Sequence, residues 1–464
     1  MKLLSFHTRS IDSNLLIIIS VIVAVIVQVM DKSFGNTFTL SLGNAFPPAD
    51  IVVFGLMVLI SIIIQSMLIK KTRGSLRIEG SKSKLGKAVV IIAILLQYAA
   101  ISILVITLFQ IVFTSEYNVH LLETIVGINL ITSSVLLAML LSRFLRTLKK
   151  SSSKVVLAYT ISIAILLLND IITFIYIDNF LQRKPDFITT QFNPWASYSP
   201  TTSSNVVSAY QIMWIVSFVA LWIATILLTN HYASKTKTKY WIMVSLPIIY
   251  FASIYLIANL ERLHLLELLG VQDNPVYSYM YNLFLNTVRT AGGITFGVAF
   301  FMLSKTIMHT QLEKSIVISG AGLVLLFSAN ASSLIIMTLY PPWGIISATY
   351  SIIGSYLLII GLDSATFYLA TDASLRRIIA KLPRQEYDLL KSLGYSETEN
   401  IVTSKIKNFS KQVYSEIRFD NFFYTSSEPT NIQEYINNVL TEVKKGDKTL
   451  PRNGKDEPTN QAQK

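Results

Sequence analysis

Ten apolar stretches occupy most of the chain, and short polar connections separate them. Each stretch approaches or exceeds the roughly 20 residues that cross the hydrocarbon core of a bilayer as a helix. They lie at residues 11–30, 51–69, 88–113, 121–142, 155–177, 206–229, 240–258, 281–303, 315–338 and 345–369. The pattern predicts an all-α fold, a polytopic transmembrane helical bundle of about ten spans.

Lysine and arginine are distributed unevenly between the connections. Those after stretches 2, 4, 6 and 8 contain seven, five, three and two basic residues, whereas those after stretches 1, 3, 5, 7 and 9 contain one, none, two, one and none. Basic connections are retained on the cytoplasmic side of a membrane. We therefore expect a protein of the cell membrane with the even connections and both termini in the cytoplasm.

The composition fits a membrane protein and limits its partners. Hydrophobic residues make up 52% and charged residues 14%, against roughly 25% charged in soluble domains. The net charge of +12 lies mainly on the connections and tail assigned to the inner side. There it favours contact with anionic lipid of the inner leaflet rather than with nucleic acid. The bilayer is thus the expected partner. The chain contains no cysteine, which excludes thiolate chemistry, and we expect no cofactor.

The chain divides into a transmembrane bundle over residues 1–370, a cytoplasmic helical tail over 371–445 and a polar, disordered C-terminus over 446–464. In the tail, Ser396 and Glu399 form a capping box that predicts the start of a helix. Apolar residues from Val402 to Ile417 then recur at helical spacing. This face can pack on the chain's own inner connections. A cytoplasmic partner or self-association through 396–445 stays open.

Residues 88–239 and 240–370 resemble two copies of one four-helix unit, preceded by a leading pair of spans at 11–87. The sequence His-Leu-Leu-Glu at 120–123 recurs at 264–267, and Asn169 falls opposite Asn330. Spans that are four apart in the chain cross the membrane in the same direction. The two copies would therefore form a parallel repeat, as in some transporters.

Two ionisable residues lie inside apolar stretches, Asp170 and Arg289. Such a group costs at least ~2.5–3.5 kcal/mol in hydrocarbon and marks a candidate site. Both come out roughly 8–12 Å below the outer surface, where they could pair. The candidates for lining an outward-facing polar cavity are Asp170, Arg289, Asn169, Asn286 and Asn330. The alternative is a structural ion pair within the bundle. Gly293 and Gly297 form a small-xxx-small pair that favours close helix packing.

Two clusters of acidic residues and histidine have a spacing that weakly resembles metal sites. The first comprises Glu116, His120 and Glu123, and the second comprises Glu261, His264 and Glu267. A Glu-x-x-His motif binds metals in some helical bundles. The spacing differs between the two clusters, and Arg262 lies inside the second, so we assign no metal.

Several residue runs of the second half of the chain are distinctive: Tyr340-Pro341-Pro342-Trp343-Gly344, Ser355-Tyr356-Leu357, Asp372 with Leu375 and Arg376, the segment from Trp222 to Tyr250, and Tyr435 to Lys445. In these runs the chain resembles an uncharacterised family of archaeal polytopic membrane proteins with a helical cytoplasmic tail. The resemblance covers stretches 6–10 and the tail. It implies a membrane protein without an established activity.

Three functional classes fit these observations. A transporter or channel for a small solute or ion would explain the repeat and the buried polar cluster. A membrane sensor would explain an outer cavity connected to a helical tail. A membrane enzyme acting on a lipid-linked substrate would need outer acidic residues, and Asp31 and Asp50 merely flank the first outer connection. No adjacent carboxylate pair or Ser/His arrangement supports catalysis, so we do not expect an enzyme.

Overall fold

The computed structural model describes residues 2–41, 47–76, 84–150, 153–182, 184–189, 204–229, 237–262, 275–305, 310–329, 340–372, 375–376 and 388–420. Side chains at the ends of several of these helices, and over much of 254–289, fall outside the description. The chain divides into two compact units, Met1–Ile401 and Val402–Lys464.

The described residues are almost entirely helical, as the hydrophobic pattern predicted. The helices are α1 (Lys2–Ser41), α2 (Pro47–Leu76), α3 (Lys84–Thr114), α4 (Val119–Lys150), α5 (Lys154–Leu181), α6 (Ser204–Thr229), α7 (Lys237–Arg262), α8 (Pro275–Lys305), α9 (Thr310–Ala329), α10 (Ile345–Ala348), α11 (Tyr350–Thr371) and α12 (Asp388–Asp420). Two short antiparallel strands, β1 (Glu116–Asn118) and β2 (Phe187–Thr189), pair with Tyr117 opposite Ile188.

Eight segments of the described chain are long and apolar enough to cross a membrane. They lie in α1 to α6, in α9, and in α10 and α11 taken together. The remaining two apolar stretches coincide with α7 and α8, which are not among the eight, so ten spans stay a prediction. The chain is a multi-pass membrane protein, because hydrocarbon is the solvent in which so many long apolar helices are stable.

Helices α9 and α11 occupy the centre of the bundle. In α9, 89% of the apolar window is buried, and in α10 and α11 all of it is, against 33–56% in α1 to α6. Glycines let the two backbones approach each other. A Cβ atom built on Gly354 would lie 2.5 Å from the backbone nitrogen of Leu326, and one on Gly322 would lie 2.4 Å from that of Leu358. Only hydrogen fits at these two positions.

The Gly293–Gly297 pair of α8 packs inside the bundle, against α9. A Cβ atom on Gly297 would lie 2.8 Å from the carbonyl oxygen of Gly320, and one on Gly293 would lie 3.1 Å from that of Val324. Small residues thus permit a second close helix contact. Helix α9 is enclosed because both of its long neighbours, α8 and α11, meet it almost backbone to backbone.

At one end of the bundle, the connections after stretches 3, 5 and 9 meet. The first two contain β1 and β2, which pair. Tyr340, from the third, stacks on Tyr117 with ring centroids 6.2 Å apart. Its hydroxyl also donates a 2.8 Å hydrogen bond to the carbonyl of Ile111. Burial holds the pKa of the Tyr117 phenol well above its usual value, and the neighbouring Tyr340 contributes to the same shift.

Charged contacts connect α4 to α11 and to the chain that follows α11. Arg143 of α4 forms an ion pair with Asp363. Lys150 lies 3.3 Å from a carboxylate oxygen of Glu399 and donates to Asn400 at 2.9 Å. The basic connection after stretch 4 begins at this end of α4. Which end faces the cytoplasm stays a prediction.

The tail helix α12 begins earlier than the capping box indicated. It starts at Asp388, eight residues before Ser396. Leu389, Leu390 and Leu393 are buried, and a Cβ atom on Gly394 would lie 2.8 Å from the Cβ of Leu369. Tertiary packing of these leucines therefore extends the helix toward its N-terminus. In the second unit, α12 continues to Asp420. The rest of the predicted tail, and the segment 446–464 that the sequence predicts to be disordered, lie outside the described residues.

Candidate functional site in the bundle interior

Asp170 is the centre of a polar contact between three helices. Its side chain on α5 is 1% exposed. The Ser133 hydroxyl of α4 donates a 2.7 Å hydrogen bond to its carboxylate. The same hydroxyl lies 2.6 Å from the hydroxyl of Ser355 on the central helix α11. Both serines are buried as well, so the carboxylate contacts fixed protein groups in place of lipid.

Asp170 lies farther from the C-terminal end of its helix than the apolar stretch alone implied. Helix α5 continues to Leu181, and Asp170 lies eleven residues before that end and sixteen after Lys154. At a rise of 1.5 Å per residue, the carboxylate is roughly 16 Å below the helix end. It therefore lies near the middle of the helix, where an ionisable group is most expensive in hydrocarbon.

Two buried amide oxygens on α4 and α5 have no hydrogen-bond partner among the described residues. They belong to Asn129 and Asn169, which are 0% and 2% exposed. Asn129 precedes Ser133 by one helical turn and so shares its face of α4. An unsatisfied buried acceptor costs about 1–3 kcal/mol. These two oxygens are therefore candidates for accepting hydrogen bonds from a bound group.

The other predicted members of this site are not fully described. Asn286 and Arg289 lie on α8, but their side chains are outside the described residues, and Asn330 lies outside them altogether. Their neighbour Thr290 is 3% exposed. The pairing of Asp170 with Arg289 stays a prediction. The internal repeat also stays a prediction, because residues 264–267 and Asn330, which form the second half of its matched pairs, lie outside the described residues.

Asp31 is a second buried carboxylate. From the sequence, this residue was predicted to lie at the edge of the first outer connection, next to the end of stretch 1. Helix α1 continues to Ser41, so Asp31 lies within it and is 0% exposed. Its carboxylate accepts hydrogen bonds from the backbone N–H of Gly344 at 2.9 Å and of Ser347 at 2.9 Å. The Ser347 hydroxyl donates a third bond at 3.0 Å. Asp31 thereby caps the start of α10, whose own N-cap residue makes no side-chain cap bond.

The neighbouring Lys32 bonds to the end of α9, on the other side of the connection that joins α9 to α10. It is also 0% exposed, and its ammonium donates to the carbonyl of Ser328 in the last turn of α9. An acid at a helix N-terminus and a base at a helix C-terminus both complement the helix dipole. In the sequence, Asp31 and Lys32 directly follow an apolar stretch. This pattern resembles the end of a membrane span and does not indicate burial.

Two glutamines form a third polar contact on the central helix. Gln65 of α2 donates to the hydroxyls of Ser61 at 2.9 Å and Thr349 at 2.7 Å. Gln97 of α3 donates to the side-chain oxygen of Gln65 at 2.8 Å and to the carbonyl of Thr349 at 3.1 Å. Gln65 is the one glutamine of stretch 2, and Gln97 lies in the middle of stretch 3. An amide inside an apolar stretch is the signal that the sequence offered.

Together, these contacts give the segment from α10 to α11 a polar partner at each successive depth. Ser347 meets α1, Thr349 meets α2 and α3, and Ser355 meets Ser133 of α4, which in turn donates to Asp170 of α5. Asp363 meets Arg143, also of α4. A helix surrounded by protein and bonded directly to four neighbours, with a fifth reached through Ser133, can transmit a change at one contact to the others.

The weak metal candidates do not form a metal centre in the part of the chain that the structure describes. His120 lies 3.2 Å from Glu123 and 3.6 Å from Asp186, but its side chain is 66% exposed. Glu116 lies in β1 opposite Thr189. The Glu261 side chain, His264 and Glu267 are outside the described residues.

The fold and these contacts define the class of the protein, a multi-pass helical membrane protein with a polar interior. Comparison with known protein families, with curated proteins and with solved structures finds no match. The resemblance to an archaeal membrane family stays a prediction.

Proposed function

We propose that this protein is transporter- or channel-like and moves a small solute or ion past Asp170. The supporting observation is the Asp170–Ser133–Ser355 contact, in which a buried carboxylate near the middle of α5 is linked through Ser133 to the central helix. Intramembrane ionisable groups commonly mark substrate or ion pathways. A ligand that binds Asp170 would compete with Ser133 for the carboxylate, and so would alter the contact between α4, α5 and α11.

A purely structural role for Asp170 is the alternative. In that role its site would satisfy its own polar groups, as buried networks generally do. The amide oxygens of Asn129 and Asn169 are instead unsatisfied among the described residues. They favour a site that completes its hydrogen bonds with a bound group. Both termini are proposed to be cytoplasmic, with the basic connections and tail against anionic lipid.

Flux measurements in liposomes test this proposal. We expect the wild-type protein to dissipate an imposed gradient of at least one of the probes H⁺, Na⁺, K⁺ and chloride. Asp170→Asn, and by the pairing hypothesis Arg289→Gln, should abolish that flux while the protein still inserts. The matched control is Asp363→Asn, the same chemical change near the last turn of α11. Wild-type flux in both test variants would refute the proposal.

A membrane sensor is the second candidate, favoured by the docked start of α12. Arg376 donates to the carbonyls of Leu369 and Ala370 at the end of α11 and to the Thr398 hydroxyl of α12 at 3.2 Å. The central helix and the first part of α12 are thus mechanically connected.

Truncation after Ile401 separates the two candidates, since it keeps the docked part of α12. A transporter should retain its flux, whereas a sensor should keep ligand affinity and lose its output. Loss of membrane insertion in the truncated chain would contradict both expectations. A membrane enzyme, the third class, gains no supporting arrangement of side chains from the described residues.

A further inference from the structure

The Asp170 site contains a row of oxygen atoms in which contacts outnumber serine hydroxyl groups. Ser133 Oγ lies 2.7 Å from a carboxylate oxygen of Asp170 and 2.6 Å from Ser355 Oγ. Ser355 Oγ in turn lies 3.0 Å from the backbone carbonyl oxygen of Ser351, one turn earlier on α11. All three distances are those of an O–H···O hydrogen bond. The row that runs from Asp170 to Ser351 therefore needs three hydrogens, one for each contact.

The two hydroxyl groups of the row supply one hydrogen each. An ionised carboxylate and a carbonyl oxygen only accept hydrogen bonds. While Asp170 is ionised, one contact of the row therefore has no hydrogen, and two oxygens at such a distance repel each other. The carbonyl of Ser351 has no hydrogen to give, so the third one can come only from the carboxyl group of Asp170. A neutral carboxyl group also costs less to bury than a charged one.

We propose that Asp170 is a proton-binding site, whose protonated carboxyl group donates a hydrogen bond to Ser133. Ser133 then donates to Ser355, and Ser355 donates to the carbonyl of Ser351, so that every contact has its hydrogen. When the proton leaves to water, the first bond reverses and Ser133 donates to the carboxylate. The inference rests on the proposed function in taking Asp170 as the transport site, and it names the proton as the transported ion.

Charged residues on the helices around this row lie away from it. On α4, α5, α9 and α11 the nearest are at least eight positions from the residues level with the row, or roughly 12 Å along the helix; they are Glu123, Arg143, Asp178, Lys314 and Asp363. Helix α6, which also packs on α5, has no charged residue. Tyr356 follows Ser355, but its hydroxyl contacts Thr72 of α2. An ion pair with Arg289, whose side chain is outside the described residues, requires the ionised carboxylate and so excludes this proton.

Infrared spectroscopy of the full chain in liposomes tests the proposal. A protonated carboxyl group has a carbonyl stretching band above the amide I band, and an ionised carboxylate does not. We expect the difference spectrum between the wild type and Asp170→Asn at neutral pH to contain this band, shifted to lower frequency in deuterium oxide. The matched control Asp363→Asn removes a carboxylate that is paired with Arg143, and should leave the band in place. Absence of the band from the wild-type spectrum overturns the proposal.

Thermal unfolding of Asp170→Asn gives a second, independent readout. The asparagine amide is neutral and donates an N–H to Ser133, as the protonated carboxyl group donates its O–H. Asp170→Asn should therefore unfold at the wild-type midpoint. A variant that unfolds well below the wild type, or does not fold, would show that the site requires the ionised carboxylate, and the proposal would be wrong.

Two other variants separate the proton from the alternatives. Ser355→Ala removes the acceptor of the Ser133 hydroxyl, so Ser133 should donate back to an ionised carboxylate and the band should weaken. An unchanged band in Ser355→Ala would contradict the hydrogen count of the row. Arg289→Gln should leave the band as it is in the wild type. A band that appears only in Arg289→Gln would establish the ion pair and overturn the proposal.

Flux and infrared results together distinguish this inference from the transport proposal. Dissipation of a pH gradient together with the band supports both. The band without flux of any probe supports the proton site and refutes the transport function. Flux of Na⁺ or K⁺ without the band refutes the proton site and leaves the transport function in place.

Discussion

Replacing Asp31 should destabilise the whole bundle, because this carboxylate joins α1 to the start of α10 from 313 positions away. It accepts three hydrogen bonds, two from backbone N–H groups and one from a hydroxyl. All three donors lie in the protein interior. In Asp31→Ala they lose their acceptor, and the buried Lys32 loses the negative charge beside it.

The size of the effect follows from these contacts. A buried donor left without a partner costs about 1–3 kcal/mol, and Asp31→Ala leaves three such donors. We expect about 4 kcal/mol for Asp31→Ala. Asp31→Asn keeps one acceptor oxygen and should lose about half as much. Ser347→Ala removes one of the three bonds to the carboxylate and should cost about 1 kcal/mol.

Thermal unfolding in detergent, monitored by tryptophan fluorescence, measures the ranking of these three variants. For large domains, 1 kcal/mol shifts the midpoint by about 2–4 °C or less, so Asp31→Ala should lower it by roughly 5 °C or more. The matched control is Asp50→Ala, on the other side of the first connection, where the side chain is only partly buried. A midpoint of thermal unfolding for Asp31→Ala within about 1 °C of that for Asp50→Ala would refute the stabilising role of the Asp31 contacts.

Two further predictions concern helix packing and a peripheral ion pair. Gly354→Ala should force α9 and α11 apart, because its Cβ atom would meet backbone at 2.5 Å, and should cost about 3 kcal/mol. Gly127→Ala, whose Cβ atom would meet only a side chain at 3.6 Å, should leave the unfolding midpoint unchanged or slightly raised. Asp363→Arg should cost about 1 kcal/mol through repulsion from Arg143. The charge-swapped Arg143→Asp, Asp363→Arg double variant should recover most of that loss. Equal midpoints for the two glycine variants, or no recovery in the swap, would contradict these expectations.

The sequence predicted the helical elements well because each is a local property. An apolar run of the right length forms a helix in hydrocarbon whatever its neighbours, since all its backbone hydrogen bonds lie within the segment. Helix ends were less accurate. Helix α1 extends past Asp31 to Ser41, and α12 begins at Asp388, since buried tertiary contacts continue both helices beyond the local signals.

The candidate site was found in part. Asp170 and Asn169 were identified by their chemistry inside an apolar stretch, and the structure buries both. Ser133 and Ser355 were missed, since a serine in a membrane helix commonly bonds to its own backbone and carries no distinctive signal. Only the packing of the helices shows that Ser133 donates to the carboxylate and that Ser355 contacts Ser133.

By itself, the sequence determined that this is a multi-pass helical membrane protein, because the bilayer selects each segment by its own hydrophobicity. It also gave a predicted orientation from the basic connections. Tertiary structure alone decided which helices are central and which polar groups meet. Lipid is as apolar as a leucine side chain, so hydrophobicity does not distinguish the protein-facing side of a helix from the lipid-facing side. Close glycine contacts and buried hydrogen bonds make that choice, and several of these bonds join residues 222 to 313 positions apart.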